Sequence, residues 1–297
     1  MSNSLETVVQ PHVKREPVEA GETGAILSKP AGKVKAKGLS GLSTALIKDF
    51  AAGAIIPIVL LAAWQVASYA GWLSPMFMPS PLAILSSFIT LATEGQLLHH
   101  LLVSIKRAGL GFLIGGAAGL LFGFVTGLLR KAQYLLDPSI QVLRLVPHLA
   151  IAPLIILWFG FGETSKIVII VSGSFFPLYI NTFLGIRNVE NKLFEVARVL
   201  GFSPLKRLLR LVLPAALPDI LIGVRLSLAV SWIGLVVAEL IGSTSGVGFL
   251  INEAKQNSET TVIFAGIIIF AVVGKLIDSG MKALEARWLS WRDGFKG

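Results

Sequence analysis

The chain has 297 residues, 54% hydrophobic and 14% charged, with a net charge of +9 and no cysteine. A charge content this far below the roughly 25% of soluble domains, with a mean hydropathy of +0.76, excludes an ordinary soluble domain. It makes the membrane, rather than nucleic acid, the counterpart of the basic balance. Without cysteine, disulfides, thiolate catalysis and thiolate-ligated metals are excluded.

Residues 1–49 are rich in Gly, Pro, Ser, Glu and Lys and hold no periodic apolar run. They cannot bury a core and are expected to form a disordered cytoplasmic tail, with residues 50–297 forming the membrane domain. No apolar stretch precedes Asp49, so a signal peptide is not expected. Lys33, Lys35, Lys37 and Lys48 precede the first apolar run and favour a cytoplasmic tail.

Span 1 is read over residues 51–70, with Trp64, Tyr69 and Trp72 toward its outer end. A loop with Pro75, Pro79 and Pro81 leads into a partly apolar stretch of interfacial character. Span 2 covers residues 108–129. Gly111, Gly115, Gly119, Gly123 and Gly127 line one face of it, which permits close approach of another backbone. Packing inside one subunit is the simpler reading of that stripe, and a subunit interface is the other.

Span 3, residues 135–161, contains Pro138, Pro147 and Pro153 together with Arg144 and His148. Prolines at membrane depth free carbonyls that protein or a water-filled cavity must satisfy, so a broken helix here points to a transport path. Span 4 covers residues 165–185, with Pro177 inside.

Residues 187–218 form the only long basic interval between apolar segments. Two short amphipathic helices fit it. In the first, Val189, Leu193, Val196 and Leu200 share a face, and Glu195 and Arg198 can pair on the other. Gly201 suits a left-handed C-terminal cap, and Ser203-Pro204 restarts the helix as N-cap and first residue. Leu205, Leu208, Leu209 and Val212 form the second apolar face, and Pro214 and Pro218 are expected to end that helix.

Span 5, residues 219–241, carries Arg225, Ser227, Ser231, Trp232 and Glu239. Span 6, residues 262–281, carries Lys275 and Asp278, which are three apart and can pair. Six spans with both termini cytoplasmic place Arg130, Lys131, the central loop and the basic C-terminus on the inner side. Lys106 and Arg107 then fall at the outer mouth of span 2.

Charges within the bilayer are costly and should face protein or water. Arg144 and Arg225 either brace the inner half of the subunit or meet an anion in transit. Arg144, Pro147, Ser227, Ser231, Trp232 and Glu239 are the candidates for a translocation path. No P-loop sequence exists in the chain. Gly173-Ser174 lacks a base and a carboxylate spaced for serine hydrolysis. His99-His100 lacks further metal ligands and reads as a solvated pair. Hence no catalytic group, metal or cofactor is expected.

Glu195, Ala197, Gly201, Leu211, Leu213 and Pro214 resemble the EAA loop of permease subunits from binding-protein-dependent ABC importers, with Val196 departing at the middle position. In that family the loop couples the permease to a separate ATPase. The resemblance makes Glu195, Ala197, Gly201, Ser203, Leu213 and Pro214 the expected coupling residues. Leu136-Asp137-Pro138-Ser139-Ile140-Gln141, Pro147-His148-Leu149-Ala150 and Ile156-Leu157-Trp158-Phe159-Gly160 are similar to the nitrate/sulfonate/taurine group, nearest to aliphatic sulfonate permeases.

The resemblance implies an all-α, six-helix, MetI-like permease of the bacterial inner membrane. It also implies a homodimer with a second permease copy, two ATP-binding subunits and a substrate-binding protein. Membrane lipid is a further partner, and nucleic acid is not. Aliphatic sulfonates are the implied cargo, with taurine, nitrate or another small organic substrate as alternatives. An ion-coupled secondary transporter is the reading from another class, and it would require inverted repeats and paired intramembrane carboxylates.

Overall fold

The computed structural model describes residues 39–289, with side chains from Ile55 onward. The expected tail lies outside the described residues up to residue 38, as do Trp291, Arg292 and Lys296 at the other end. Two units divide within the first helix, and the second, from Ile56, holds the bundle described below. Among the described residues every regular element is helical.

α1 (Leu39–Tyr69) begins ahead of the tail boundary expected at residue 49. α2 (Pro81–Thr93) starts at Ser80, whose hydroxyl accepts from the Ala83 amide, with Pro81 in the first turn. α3 (Gln96–Leu128) is one helix of 33 residues, so span 2 starts more than two turns earlier than expected. α4 (Arg130–Leu145) and α5 (Ala152–Phe159) follow, then α6 (Glu163–Arg187). Next come α7 (Asn191–Val199), α8 (Pro204–Arg207) and α9 (Leu213–Leu240). α10 (Val247–Gln256) and α11 (Thr260–Trp288) complete the described chain. Among the described residues four helical runs are long and apolar enough to cross a membrane: α3, α6, α8 through α9, and α11.

The bundle is built on α6, which packs along α3 on one side and α9 on the other. The glycine stripe of α3 sets the first contact. A Cβ on Gly115 would lie 2.5 Å from the Val171 carbonyl oxygen, and one on Gly123 would lie 2.8 Å from that of Tyr179. Gly119 meets the Phe175 carbonyl between them. Successive glycines four apart therefore meet successive carbonyls four apart, backbone against backbone. The stripe packs inside one subunit.

The pairs advance in the same direction along both helices, so α3 and α6 run parallel. The chain between them must return the length of the bundle, and α4 and α5 do so. The broken helix expected in span 3 is present, with its break at residues 146–151. Pro138 sits inside α4, and Pro153 sits in the first turn of α5, where a missing N–H costs nothing.

α9 runs antiparallel to α6. The Ser227 hydroxyl donates to the Ser174 carbonyl, and Gly223 lies against Asn181 and Leu178. α11 lies on α9 through Trp232, whose indole donates to the Phe270 carbonyl at 2.9 Å. Arg225 bonds Asp278 at 2.7 Å, and Lys282 shares that carboxylate. The expected Lys275–Asp278 pair is not formed. Arg225 reaches Asp278 from the neighbouring helix and takes the position a local pair would need.

Gly119→Val should destabilise the bundle by about 3 kcal/mol or more, because the opposing atom is a backbone carbonyl that cannot rotate away. Gly109→Ala, where a Cβ meets nothing within 4 Å, should leave the detergent melting temperature unchanged. Melting curves of both variants check this.

Candidate functional site

The central loop is shaped by two local signals. α7 ends at Leu200, and Gly201 takes φ +63°. The Phe202 amide donates to the Ala197 carbonyl at 2.9 Å and the Gly201 amide to the Arg198 carbonyl at 3.1 Å. These two bonds define a Schellman cap, which a glycine at the left-handed position permits without steric cost. Ser203 then caps α8 by accepting from the Lys206 amide, with Pro204 as first residue. Lys206 Nζ stands over the Phe202 ring, 4.2 Å from its centroid.

Beyond α8 the structure departs from expectation. Pro214 and Pro218 do not end the helix. A π-helical turn, Leu208–Val212, carries α8 into α9, with Pro214 in the first turn of α9 and Pro218 inside it. The Leu213 amide reaches back to the Leu208 carbonyl, and this wider turn makes room for the proline ring that an α-helical turn would exclude. The loop is thus covalently and helically continuous with the α9 bundle helix.

Ala197 is 1% exposed, and Phe194 is the residue of α7 that packs against the bundle cluster. Val189, Val212 and Ala216 are buried with Ile186 and Leu178 of α6, and Phe194, Leu208, Leu211 and Leu213 pack around them. The shared apolar face of α7 is mostly uncovered. Val189 is buried, but Leu193, Val196 and Leu200 are exposed, and Val199 is 87% exposed. Leu205 and Leu209 continue this apolar surface onto the second helix. Glu195 is exposed and forms no pair with Arg198. α7 therefore buries the face of Phe194 and Ala197 and presents its wider apolar face outward. Pro214 is exposed as well.

The path candidates separate into two groups. Ser227 and Glu239 are wholly enclosed. Ser231 donates to the Ser227 carbonyl, and both Ser231 and Trp232 border an apolar groove of ≈ 250 Å³ between α3, α9 and α11. Arg144 and Pro147, by contrast, are exposed at the break between α4 and α5.

The residue that sequence reasoning missed is Arg107. Placed at the outer mouth of span 2 by its position, it is 3% exposed. It donates through Nε and Nη2 to both oxygens of Glu163 at 2.7 and 2.6 Å, and through Nη1 to Glu239 at 2.8 Å. Ser104 also donates to Glu239. The Glu239 carboxylate accepts from the Gly248 amide, and the Ser104 hydroxyl accepts from the Val247 amide. His100 Nδ1 accepts from the Gly246 amide, so this histidine is structural and not a solvated partner of His99.

Together these groups cap α10 with side chains from two other helices and fasten α3, α6, α9 and α10 at the end remote from the central loop. A signal did exist in the sequence. Arg107 lies four residues before Gly111, in register with the glycine stripe, and so points at α6. Glu239 is engaged by an arginine and not by a second carboxylate. Among the described residues no cluster of His, Asp and Glu fits a metal. Ser174 is buried, with its hydroxyl near the Gly111 carbonyl.

Arg107→Ala should cost about 3–5 kcal/mol, because it leaves a buried carboxylate unpaired. Asp278→Ala breaks a pair whose side chains are about a third exposed and screened by solvent, and should shift the unfolding midpoint far less. Chemical denaturation in detergent of the two variants separates these outcomes.

Residues 115–290 match the family described as binding-protein-dependent transport system inner membrane component. The putative aliphatic sulfonates transport permease protein SsuC of Bacillus subtilis (strain 168) is 54% identical over 245 residues, covering 82% of this chain and 89% of the relative. Its namesake in Escherichia coli (strain K12) is 45% identical, covering 81% and 91%. The taurine transport system permease protein TauC of E. coli (strain K12) is 37% identical, covering 78% and 86%.

The crystal structure of an amino acid ABC transporter with histidines aligns with a TM-score of 0.54 at 19% identity, covering 69% of this chain and 96% of that one. The MetNI methionine ABC transporter in an inward-facing conformation aligns with a TM-score of 0.53 at 17% identity, covering 65% and 94%. These two likenesses concern the fold alone. With 54% identity to a relative over 82% of its own length and the family match over residues 115–290, the chain belongs to the family of inner membrane components of binding-protein-dependent transport systems.

Proposed function

We propose that this chain is the permease subunit of an ABC importer for aliphatic sulfonates, driven by ATP that a separate subunit hydrolyses. The observation that carries the coupling role is the central loop. It is anchored to the bundle core through Phe194, Val212 and Leu213, continuous with α9, and capped at Gly201, yet it leaves Val196, Val199, Leu200, Leu205 and Leu209 uncovered. A rigid element with an unmet apolar surface suits docking to another protein and passing on its motion. The cargo follows from the two SsuC relatives, and the TauC relative keeps taurine as the second reading.

The parallel run of α3 and α6 and the antiparallel α9 fit six crossings, taken as α1, α3, α4 with α5, α6, α9 and α11, with both ends of the chain in the cytoplasm. In this reading two permease copies pair, two ATPase subunits grip the two central loops, and a binding protein delivers substrate to the opposite face. ATP binding closes the ATPases, the loops carry that motion into the bundles, and the path opens outward. Hydrolysis restores the inward state. The bias between the two states comes from ATP, while the substrate travels along the state change.

Val196→Asp combined with Val199→Asp places two charges on the exposed face without touching the core. The expected result is a permease that folds normally, loses its ATPase subunit on purification, and shows binding-protein-stimulated ATP hydrolysis reduced about tenfold or more. Normal assembly and stimulation would reduce the loop to a membrane-surface connector.

A further inference from the structure

The break between α4 and α5 holds an arrangement that neither the bundle nor the coupling loop explains. Arg144 stands in the last turn of α4, exposed, with no acidic partner among the described residues. Its neighbours Val142, Leu143, Leu145 and Val146 are exposed apolar residues, so this is a bilayer-facing or path-facing environment in which an unpaired cation is costly.

In the following turn the Ala150 amide bonds the Pro147 carbonyl, while the amides of His148 and Leu149 meet no acceptor among the described residues. His148 Nε2 is enclosed without a hydrogen-bond partner, its ring packed against Gly173. Beside this polar break lies a cavity of ≈ 410 Å³ between α3, α4 and α6. Ile140, Leu143, Val146, Phe122, Phe175 and Phe176 form most of its wall, and His148 borders it. Ile140 is one helical turn before Arg144.

We propose that this is a substrate subsite for an anion with an apolar tail. The charged head rests at the break beside Arg144 and the free amides, and the tail fills the aromatic-lined cavity. The inference rests on the sulfonate reading above and adds to it the place and the mode of recognition. Three features each ask for the same ligand: a cation lacking a counter-charge, backbone donors lacking acceptors, and an apolar hollow lined by Leu143 next to that cation and by His148 of the break. A discontinuous membrane helix supplies such donors at membrane depth, where a continuous helix has none to offer. The cavity falls within the volume range of small-molecule sites, and its nearly apolar wall suits an alkyl chain better than a second polar group. An inorganic anion would leave it empty.

The test uses the complete importer in proteoliposomes, with permease, ATPase and binding protein, and compares uptake of ethanesulfonate and hexanesulfonate. Arg144→Gln should lower uptake of both by about tenfold or more, the worth of one charge-assisted hydrogen bond, and Arg144→Lys should restore most of it. Val146→Phe, which adds bulk to the cavity wall at a half-exposed position, should lower the hexanesulfonate-to-ethanesulfonate uptake ratio about tenfold relative to the unaltered complex with the same binding protein. The site is overturned if Arg144→Gln transports like the unaltered complex, if lysine fails to rescue, or if Val146→Phe leaves the ratio unchanged. Failure of the unaltered complex to take up either sulfonate would overturn the functional reading itself.

Discussion

The structure depends on the absence of side chains along one face of α3. Because Gly115, Gly119 and Gly123 offer no Cβ, the α3 backbone rests on the α6 carbonyls of Val171, Phe175 and Tyr179. In a bilayer, lipid tails compete for apolar contact as well as leucine does, so helix association needs this kind of close fit. The parallel approach of the two helices then forces the intervening chain to return across the bundle. That return is the broken helix of α4 and α5.

The same stripe explains the two ends of the bundle. Extended toward the start of α3 it reaches Arg107, which is aimed at α6 and α9 and bound there by Glu163 and Glu239. Extended toward the end of α3 it reaches Gly127 against Ile186, in the cluster that anchors the central loop. One end is thus fastened by a buried ion network and the other by apolar packing. Fastened at both ends, such a bundle suits the proposed role of moving as a body. A loop carried on flexible linkers would absorb the motion it receives.

The parts of this arrangement legible in the sequence are those with local causes. The glycine stripe, the cap at Gly201 and the restart at Ser203-Pro204 each follow from a few adjacent residues and their conformational preferences. The end of the second loop helix was misread because the proline rule is local, while the π-helical turn that accommodates Pro214 answers to the continuity of α9. The orientation of α7 was not legible, because periodicity reveals an apolar face without naming what covers it. Val196 and Val199 are apolar and exposed, whereas Ala197 is buried. The Arg107–Glu239 bond joins residues 132 apart and has no local pattern, although the register of Arg107 with the glycines marked its direction. Ser227 and Ser231 looked like path residues because they are polar at membrane depth, and in the structure their hydroxyls are bonded to the backbone of α6 and α9.

The central claim is that the loop and the bundle form one rigid lever. The chain has no cysteine, so spin labels can be placed at Val199→Cys and Leu240→Cys, near the loop and at the far end of α9, and diluted with unlabelled subunits in the assembled importer. The distance between the two labels within one subunit would be measured by pulsed electron paramagnetic resonance, without nucleotide and with trapped ATP. The account predicts the same distance distribution in both states, in a labelled complex that transports normally when ATP is free to turn over. A distribution that shifts on ATP binding would show that the loop flexes against the bundle, and the lever account would be wrong.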